Sequence, residues 1–213
     1  MKKTKVKEEK LRIFAIGDLH GDSRKASQLA IRAKKENVDL VIMSGDLTYA
    51  EQSVDYLVGP FAKRKLDVLI VPGNHETNAT AQFLEKAYAP YVKDLHGRSI
   101  IKKQVGIFGA GGASVGPVFS GEKEIYAALH RGFEKVKYSK KKIMVTHAHP
   151  SETFMATLTH PIIKGSTCIR RAIEQFKPDI AICSHAHEGE GIEERIGKTR
   201  LINVGKRGKI IEI

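Results

Sequence analysis

The chain has no tryptophan and only two cysteines, and aromatic side chains make up 7% of its 213 residues. Cys168 and Cys183 lie in no CxxC arrangement and cannot supply a disulfide framework, so a reducing, cytoplasmic setting is expected. No apolar run approaches the roughly 20 residues needed to cross a bilayer, and the opening MKKTKVKEEK is charged where a secretory segment is apolar. No membrane partner is therefore expected. Acidic residues are also in deficit: the net charge is +12, of which the first ten residues carry +3. A basic chain attracts phosphate-bearing molecules, which makes nucleic acid a candidate partner. The basic runs AKRK (62–65) and SKKK (139–142) are short and lack interleaved aromatics, however, which reads as solvated surface.

Hydrophobic residues make up 41% of the chain, enough for one substantial core, and the expected organisation is a charged tail over 1–10 followed by a single domain over 11–213. Three apolar runs end alike, RIFAIGD (12–18), DLVIMSGD (39–46) and DVLIVPGN (67–74), so that Asp18, Asp46 and Asn74 follow one another at intervals of 28 residues. Between the first two, Ala26, Leu29, Ala30 and Ala33 have the spacing of an amphipathic helix, with Ser23 placed as its N-cap. The second interval holds a less regular helix candidate. Apolar strands alternating with helices read as βαβ units and a parallel sheet, whose carboxyl ends share one edge and form the usual ligand crevice of an α/β protein.

Further along, ATAQFLEKAYA predicts a helix, SIIKKQVGIFGAGG two strands around a Lys-Gln turn, and 121–138 a charged helix. KIMVT and DIAIC predict strands flanking the helix TCIRRAIEQF, which Pro178 closes, and the tail predicts an antiparallel finish. GAGGASVG (109–116) lacks the register of a dinucleotide fingerprint and the Lys-Ser/Thr of a P-loop, and is expected to be a mobile loop.

Side chains with chemistry gather at the predicted strand ends: Asp18 and His20, Asp46, Asn74 and His75, His147 and His149, His185 and His187. Oxygen and imidazole donors without thiolate suit divalent Mn, Fe, Zn, Ni or Co. In extended backbone, residues i and i+2 face the same side, so DLH and SHAH each read as a chelating pair.

These motifs, GDLHG, GD, GNHE, a later strand-end His and a near-terminal H-x-H, resemble those of the calcineurin-like metallophosphoesterase family over residues 11 to about 205. The resemblance implies an α/β fold, a four-layer αββα sandwich of mixed sheets with a dinuclear metal site at the strand carboxyl ends. It places Asp18, His20 and His187 on one ion and Asn74, His147 and His185 on the other, with Asp46 bridging. It makes His75 the general acid. The implied cofactors are two divalent ions, manganese first, with Fe, Zn, Ni or Co as alternatives. The implied reaction is hydrolysis of a small phosphomonoester or phosphodiester by a metal-bridging hydroxide. A nuclease of the same family and a catalytically silent metal-binding scaffold are the alternatives.

Two positions depart from the family pattern. Ser184 stands where the terminal H-x-H is usually preceded by glycine, and GDLTY places Tyr49 where purple acid phosphatases carry a tyrosinate, although His20 already supplies a donor there. The family pattern needs no ligand at His149, and its role, like that of Tyr49, is left open. His96, His130 and His160 are read as surface or structural, and Glu76 as a local cap or orienting group.

Overall fold

The computed structural model describes residues 9–213; residues 1–8 of the expected tail lie outside the described residues, and Glu9 and Lys10 are exposed. The chain runs β1 (Arg12–Ile16), α1 (Ser23–Lys35), β2 (Leu40–Met43), α2 (Gly59–Lys63), β3 (Val68–Ile70), α3 (Asn78–Ala87), β4 (Val92–Asp94), β5 (Arg98–Lys102), β6 (Val105–Ala110) and α4 (Glu122–Val136). It continues with β7 (Lys141–Thr146), α5 (Phe154–Leu158), α6 (Thr167–Phe176), β8 (Ile180–Cys183), β9 (Glu193–Ile196), β10 (Thr199–Asn203) and β11 (Lys209–Glu212).

Two mixed sheets form, in the orders β11-β1-β2-β3-β4 and β5-β6-β7-β8-β10-β9. β1 to β4 are parallel, as are β6, β7, β8 and β10, so the carboxyl ends within each set share an edge. Strand side chains alternate between faces, and here both faces are apolar because both are covered. In β1, Phe14 and Ile16 join the helix-facing core while Ile13 and Ala15 enter the layer between the sheets. β7 divides the same way, Met144 outward and Ile143 and Val145 inward. Three apolar layers therefore separate four layers of secondary structure: α1 to α3, the first sheet, the second sheet, and α4 with α6. This is the expected αββα sandwich.

Several local expectations change. The N-cap of α1 is Asp22, whose carboxylate accepts the Lys25 N–H at 2.9 Å, and Ser23 is the first helical residue. The second βα interval condenses to the single short turn of α2. Residues 110–113 are buried and Ala113 bridges to Phe119, so the glycine-rich segment expected to be mobile is packed down at its start. A Cβ at Gly111 would meet the Pro72 carbonyl oxygen, which explains why no side chain stands there. The tail is only partly antiparallel: β9 and β11 pair that way, but β10 runs parallel to β8, and β11 crosses to the first sheet. α6 ends on Lys177 in the left-handed region (φ 48°), one residue before Pro178. Both cysteines are free and buried, and burial pushes the Cys168 thiol up to about 12. No helix among the described residues is long and apolar enough to cross a membrane.

The layer between the sheets carries the edge on which the motifs sit. Ile182→Ala, at a fully buried position in that layer, is expected to lower the unfolding free energy by about 2–5 kcal/mol, read from the urea midpoint at unchanged m-value.

Candidate metal centre

The loops leaving β1, β2, β3, β7 and β8 converge at one edge of the sandwich. Asp18 lies two residues past β1, Asp46 three past β2, Asn74 four past β3, His147 directly after β7 and His185 two past β8. The backbone there is not extended. Asp18, His20, Asp46 and His185 have φ of 54°, 47°, 50° and 68°, in the left-handed region that non-glycine residues seldom adopt. Asp18 and His20 of DLH thus meet through a tight turn and not through strand alternation, and His185 and His187 of SHAH fall in different donor groups, which corrects the sequence expectation of two chelating pairs. Cross-loop hydrogen bonds hold these turns: the Asp18, His20 and Gly21 N–H groups donate to the Gly45, Asp46 and Leu47 carbonyls at 2.8–3.0 Å. Gly73 permits the closest approach, since a Cβ there would lie 2.0 Å from Asp46 Oδ1.

The side chains form three groups whose donor atoms lie within 4.8 Å of one another: Asp18, His20 and His187; His20, Asp46 and His75; and Asp46, His147 and His185. Asp46 is common to the last two. Its Oδ1 is 3.4 Å from His147 Nε2 and its Oδ2 is 3.7 Å from His20 Nε2, so the carboxylate faces both ends of the cluster. Asn74 Oδ1 is 2.9 Å from His147 Nε2.

The donor set fits divalent metal. His20 Nε2 and His187 Nε2 are 3.1 Å apart, the separation expected for two imidazoles about 2.1 Å from one ion. His185 Nε2 is buried without a hydrogen-bond partner, and a native fold rarely leaves such an atom unused. Burial drives the His185 imidazole down to about 3 and His20 to about 4, leaving neutral rings whose lone pairs are available. Burial also disfavours charge on His147, but the Asp46 carboxylate beside it, with Asp18 behind, outweighs this and lifts it to about 9. Burial raises Asp18, whereas at Asp46 burial is outweighed by the surrounding imidazoles and the carboxyl falls below its usual range.

Supporting groups fix the rings. The Ser44 carbonyl lies 2.9 Å from His147 Nδ1 and accepts the Ser184 hydroxyl at 2.7 Å. With Nδ1 turned to that carbonyl, Nε2 faces Asn74 and Asp46. Ser184, the departure from the family pattern, thereby ties β8 to the loop after β2. Asp46 Oδ1 accepts the Asn74 and His75 N–H groups at 2.8 and 3.0 Å, and both oxygens of Asp18 are 3.2 Å from the His185 N–H.

Glu76, 2% exposed, accepts the N–H groups of Leu47, Thr48 and Gly73 and the Thr48 hydroxyl, joining the loops after β2 and β3. Burial and the neighbouring Asp46 raise its carboxyl against those three backbone donors. Sequence reasoning gave Glu76 only local work; its position in GNHE, between turn glycine and helix, was the available signal.

His75 is half-buried. Its Nδ1 accepts the Ala50 N–H at 3.1 Å, which leaves the proton on Nε2. The ring stacks on Tyr49 (5.1 Å, 29°) and meets His20 edge-on (4.8 Å). Tyr49 itself is 54% exposed.

A cleft of about 420 Å³ opens over the cluster, walled by Val115, Pro117, Ile162 and Ile163 and edged by Glu188. His160, expected to be surface or structural, is exposed and lines this cleft; no motif flanks it to give that away. Gly116 packs on Asn74, a Cβ there falling 2.1 Å from Nδ2. His149 is fully buried and stacked on His185, outside the donor groups. His96 is structural, its Nδ1 accepting the Gly111 N–H. His130 lies against Tyr126 and Phe176.

Fold and donor set define an αββα protein with a cluster of carboxylates and imidazoles at its sheet ends that could hold metal. The sequence pattern of calcineurin-like phosphoesterases matches residues 11–189, and the chain belongs to that family of metal-dependent phosphoesterases. Its fold is similar to that of a Thermus thermophilus protein (15% identity, 95% of this chain and 98% of that one, TM-score 0.73). It is similar also to a dimetal phosphatase from Danio rerio (11%, 92% and 87%, TM-score 0.63) and to an archaeal phosphodiesterase (16%, 95% and 98%, TM-score 0.53). No curated protein matches it in sequence at a significant level.

Glu76→Ala would strand three buried backbone donors and is expected to lower the unfolding free energy by about 3 kcal/mol or more. Glu76→Gln, which places amide hydrogens against those donors, should recover less than half of the loss in the same denaturation experiment.

Proposed function

We propose that the chain is a dinuclear metal-dependent phosphoesterase acting on a small phosphomonoester or phosphodiester. Asp18, His20 and His187 hold one divalent ion, Asn74, His147 and His185 hold the other, and Asp46 is shared. Manganese is the first candidate, with Fe, Zn, Ni or Co as alternatives. The observation that carries this reading is the placement of Asp46, one buried carboxylate facing two separate donor groups. When bound, such a metal pair supplies Lewis acidity toward the phosphoryl oxygens and lowers the pKa of a coordinated water.

The protein's own groups do the rest. The two carboxylates balance part of the metal charge and leave a net positive floor that attracts a phosphate anion. His75 is the general acid: protonated at both nitrogens, with the Ala50 N–H contact at Nδ1 given up, it hands the Nε2 proton to the departing alkoxide and returns to the neutral ring whose Nδ1 accepts that N–H. Thr48 keeps His75 in register, its hydroxyl donating to the His75 carbonyl at 2.9 Å. The apolar cleft wall excludes water from the side facing the ester.

A nuclease would need cations along the cleft, and none of the residues lining it is Lys or Arg. Basic side chains gather instead around Lys10, Lys103, Lys140 and Lys141, at the amino ends of the parallel strands, where Lys103 pairs with Glu9 and Asp39 and Lys141 with Asp179. A silent scaffold has no use for a half-buried imidazole with its proton fixed toward the cluster.

Hydrolysis of p-nitrophenyl phosphate or its bis ester is expected with Mn, Ni or Zn and should be abolished by chelation; silence in protein shown to contain metal would overturn the reading. His75→Ala is expected to lower kcat by about 10²- to 10⁴-fold while metal content, measured by mass spectrometry, stays at the wild-type value. Metal must displace the His147 proton, so affinity is expected to rise with pH up to about 9. Calorimetry at pH 7 in buffers of different ionisation enthalpy should accordingly show proton release on metal uptake.

A further inference from the structure

Beside the metal centre lies a second compartment. A cavity of about 170 Å³ is bounded by His185 on one side and by Ser114, His149, Ile163, Lys164 and Ser166 around the rest. It shares Val115, Ile162, Ile163 and His185 with the cleft over the metals, so the two spaces adjoin across the segment 162–163. That segment is tied down behind: the Ser166 N–H donates to the His149 carbonyl at 2.8 Å and the Ser151 N–H to the Ser166 carbonyl at 3.0 Å. The Thr159 hydroxyl lies 2.6 Å from the Ile163 carbonyl and closes the other end.

His149 is fully buried, and neither of its ring nitrogens makes a well-aligned hydrogen bond, although the Ile163 backbone lies beside the ring. Its ring lies nearly parallel to that of His185, with centroids 6.0 Å apart (27°). Two polar atoms so poorly paired on one buried ring are unusual in a native fold unless something outside the chain meets them. The Lys164 ammonium, on the lining of the same cavity, has no acidic partner among the described residues, and Glu188 lines the cleft and not this cavity. The imidazole can supply one N–H and Lys164 a positive charge, a pairing suited to an anionic oxygen.

Building on the phosphoesterase reading, we propose that this cavity is a specificity subsite for the alcohol half of the substrate, and that it takes an anionic oxygen group, a carboxylate or a second phosphate, borne a short carbon chain away from the phosphoryl group at the metals. His149 and Lys164 are its specificity-determining residues. They bind the substituent and take no part in bond breaking.

The test compares three esters of similar size on manganese-loaded protein: glycerol 3-phosphate, 3-phosphoglycerate and 2,3-bisphosphoglycerate. The expected result is a kcat/KM at least ten-fold higher for one of the two anionic esters than for glycerol 3-phosphate. Which of them prevails identifies the group as carboxylate or phosphate. Lys164→Ala, an exposed change, and His149→Leu should each erase that preference through KM. No preference in the wild type, or a preference that survives Lys164→Ala, overturns the proposal. Histidine-selective nitrogen NMR of the zinc-loaded protein with 3-phosphonopropionate, which cannot be hydrolysed, reads the subsite without turnover. The His149 ring signals should move with this ligand, remain still with propylphosphonate, and remain still in Lys164→Ala. Movement in protein that hydrolyses nothing sustains the subsite and overturns only the esterase reading. Still signals in protein that hydrolyses p-nitrophenyl phosphate overturn the subsite alone.

Discussion

A carboxylate buried among imidazoles is stable only if something balances its charge, and Asp46 organises this protein around that requirement. At 2% exposure it is removed from water, and its Oδ1 is held by the Asn74 and His75 N–H groups. The same oxygen approaches His147, from the second sheet, and Oδ2 approaches His20, from the loop after β1. A buried charge so poorly solvated would be a liability as an isolated group. As a ligand to the proposed metal ions it would be a strength, because a bound ion would supply the missing charge and tie both sheets together at the edge.

The surroundings make sense as consequences of holding that carboxylate still. Gly73 lacks a Cβ because Asp46 Oδ1 occupies the space. Glu76 gathers the N–H groups of the two loops that carry Asp46 and Asn74. The Ser44 carbonyl receives His147 and Ser184 from the opposite sheet, so the relative position of the sheets, set by the apolar layer between them, is transmitted to ring orientation by hydrogen bonds. The left-handed residues Asp18, His20, Asp46 and His185 store backbone strain that a packed sandwich can hold and a free loop would release.

The apolar runs of β1, β2, β7 and β8 were readable as buried strands, whose side chains alternate between two covered faces with a period of two, and the interval of 28 residues located three ends of one sheet edge. The same rule failed when carried two residues further. DLH and SHAH lie past the strands, in turns where i and i+2 no longer share a face: Asp18 and His20 meet all the same, for another geometric reason, while His185 and His187 go to separate donor groups. Helix ends shifted by a residue, as at Asp22, since Asp and Ser cap equally well and only the fold selects between them. His160 and Glu76 escaped notice as parts of the site because their roles depend on contacts across loops distant in sequence.

Taken alone, the sequence determined the alternation of strands and helices, the set of oxygen and nitrogen donors and their order along the chain, and through these the resemblance to the family. Those properties follow from local patterning and side-chain chemistry; the four-layer sandwich was implied only by the resemblance. Only the tertiary structure decided that one carboxylate faces two donor groups, that the glycine-rich segment is packed at its start, that cations avoid the cleft, and that His149 lies buried outside the donor groups beside a cavity adjoining that cleft. Such facts are distances between residues far apart in the chain. They are set by how two sheets stack and by which loops their hydrogen bonds bring together, and no local pattern in the sequence carries that information.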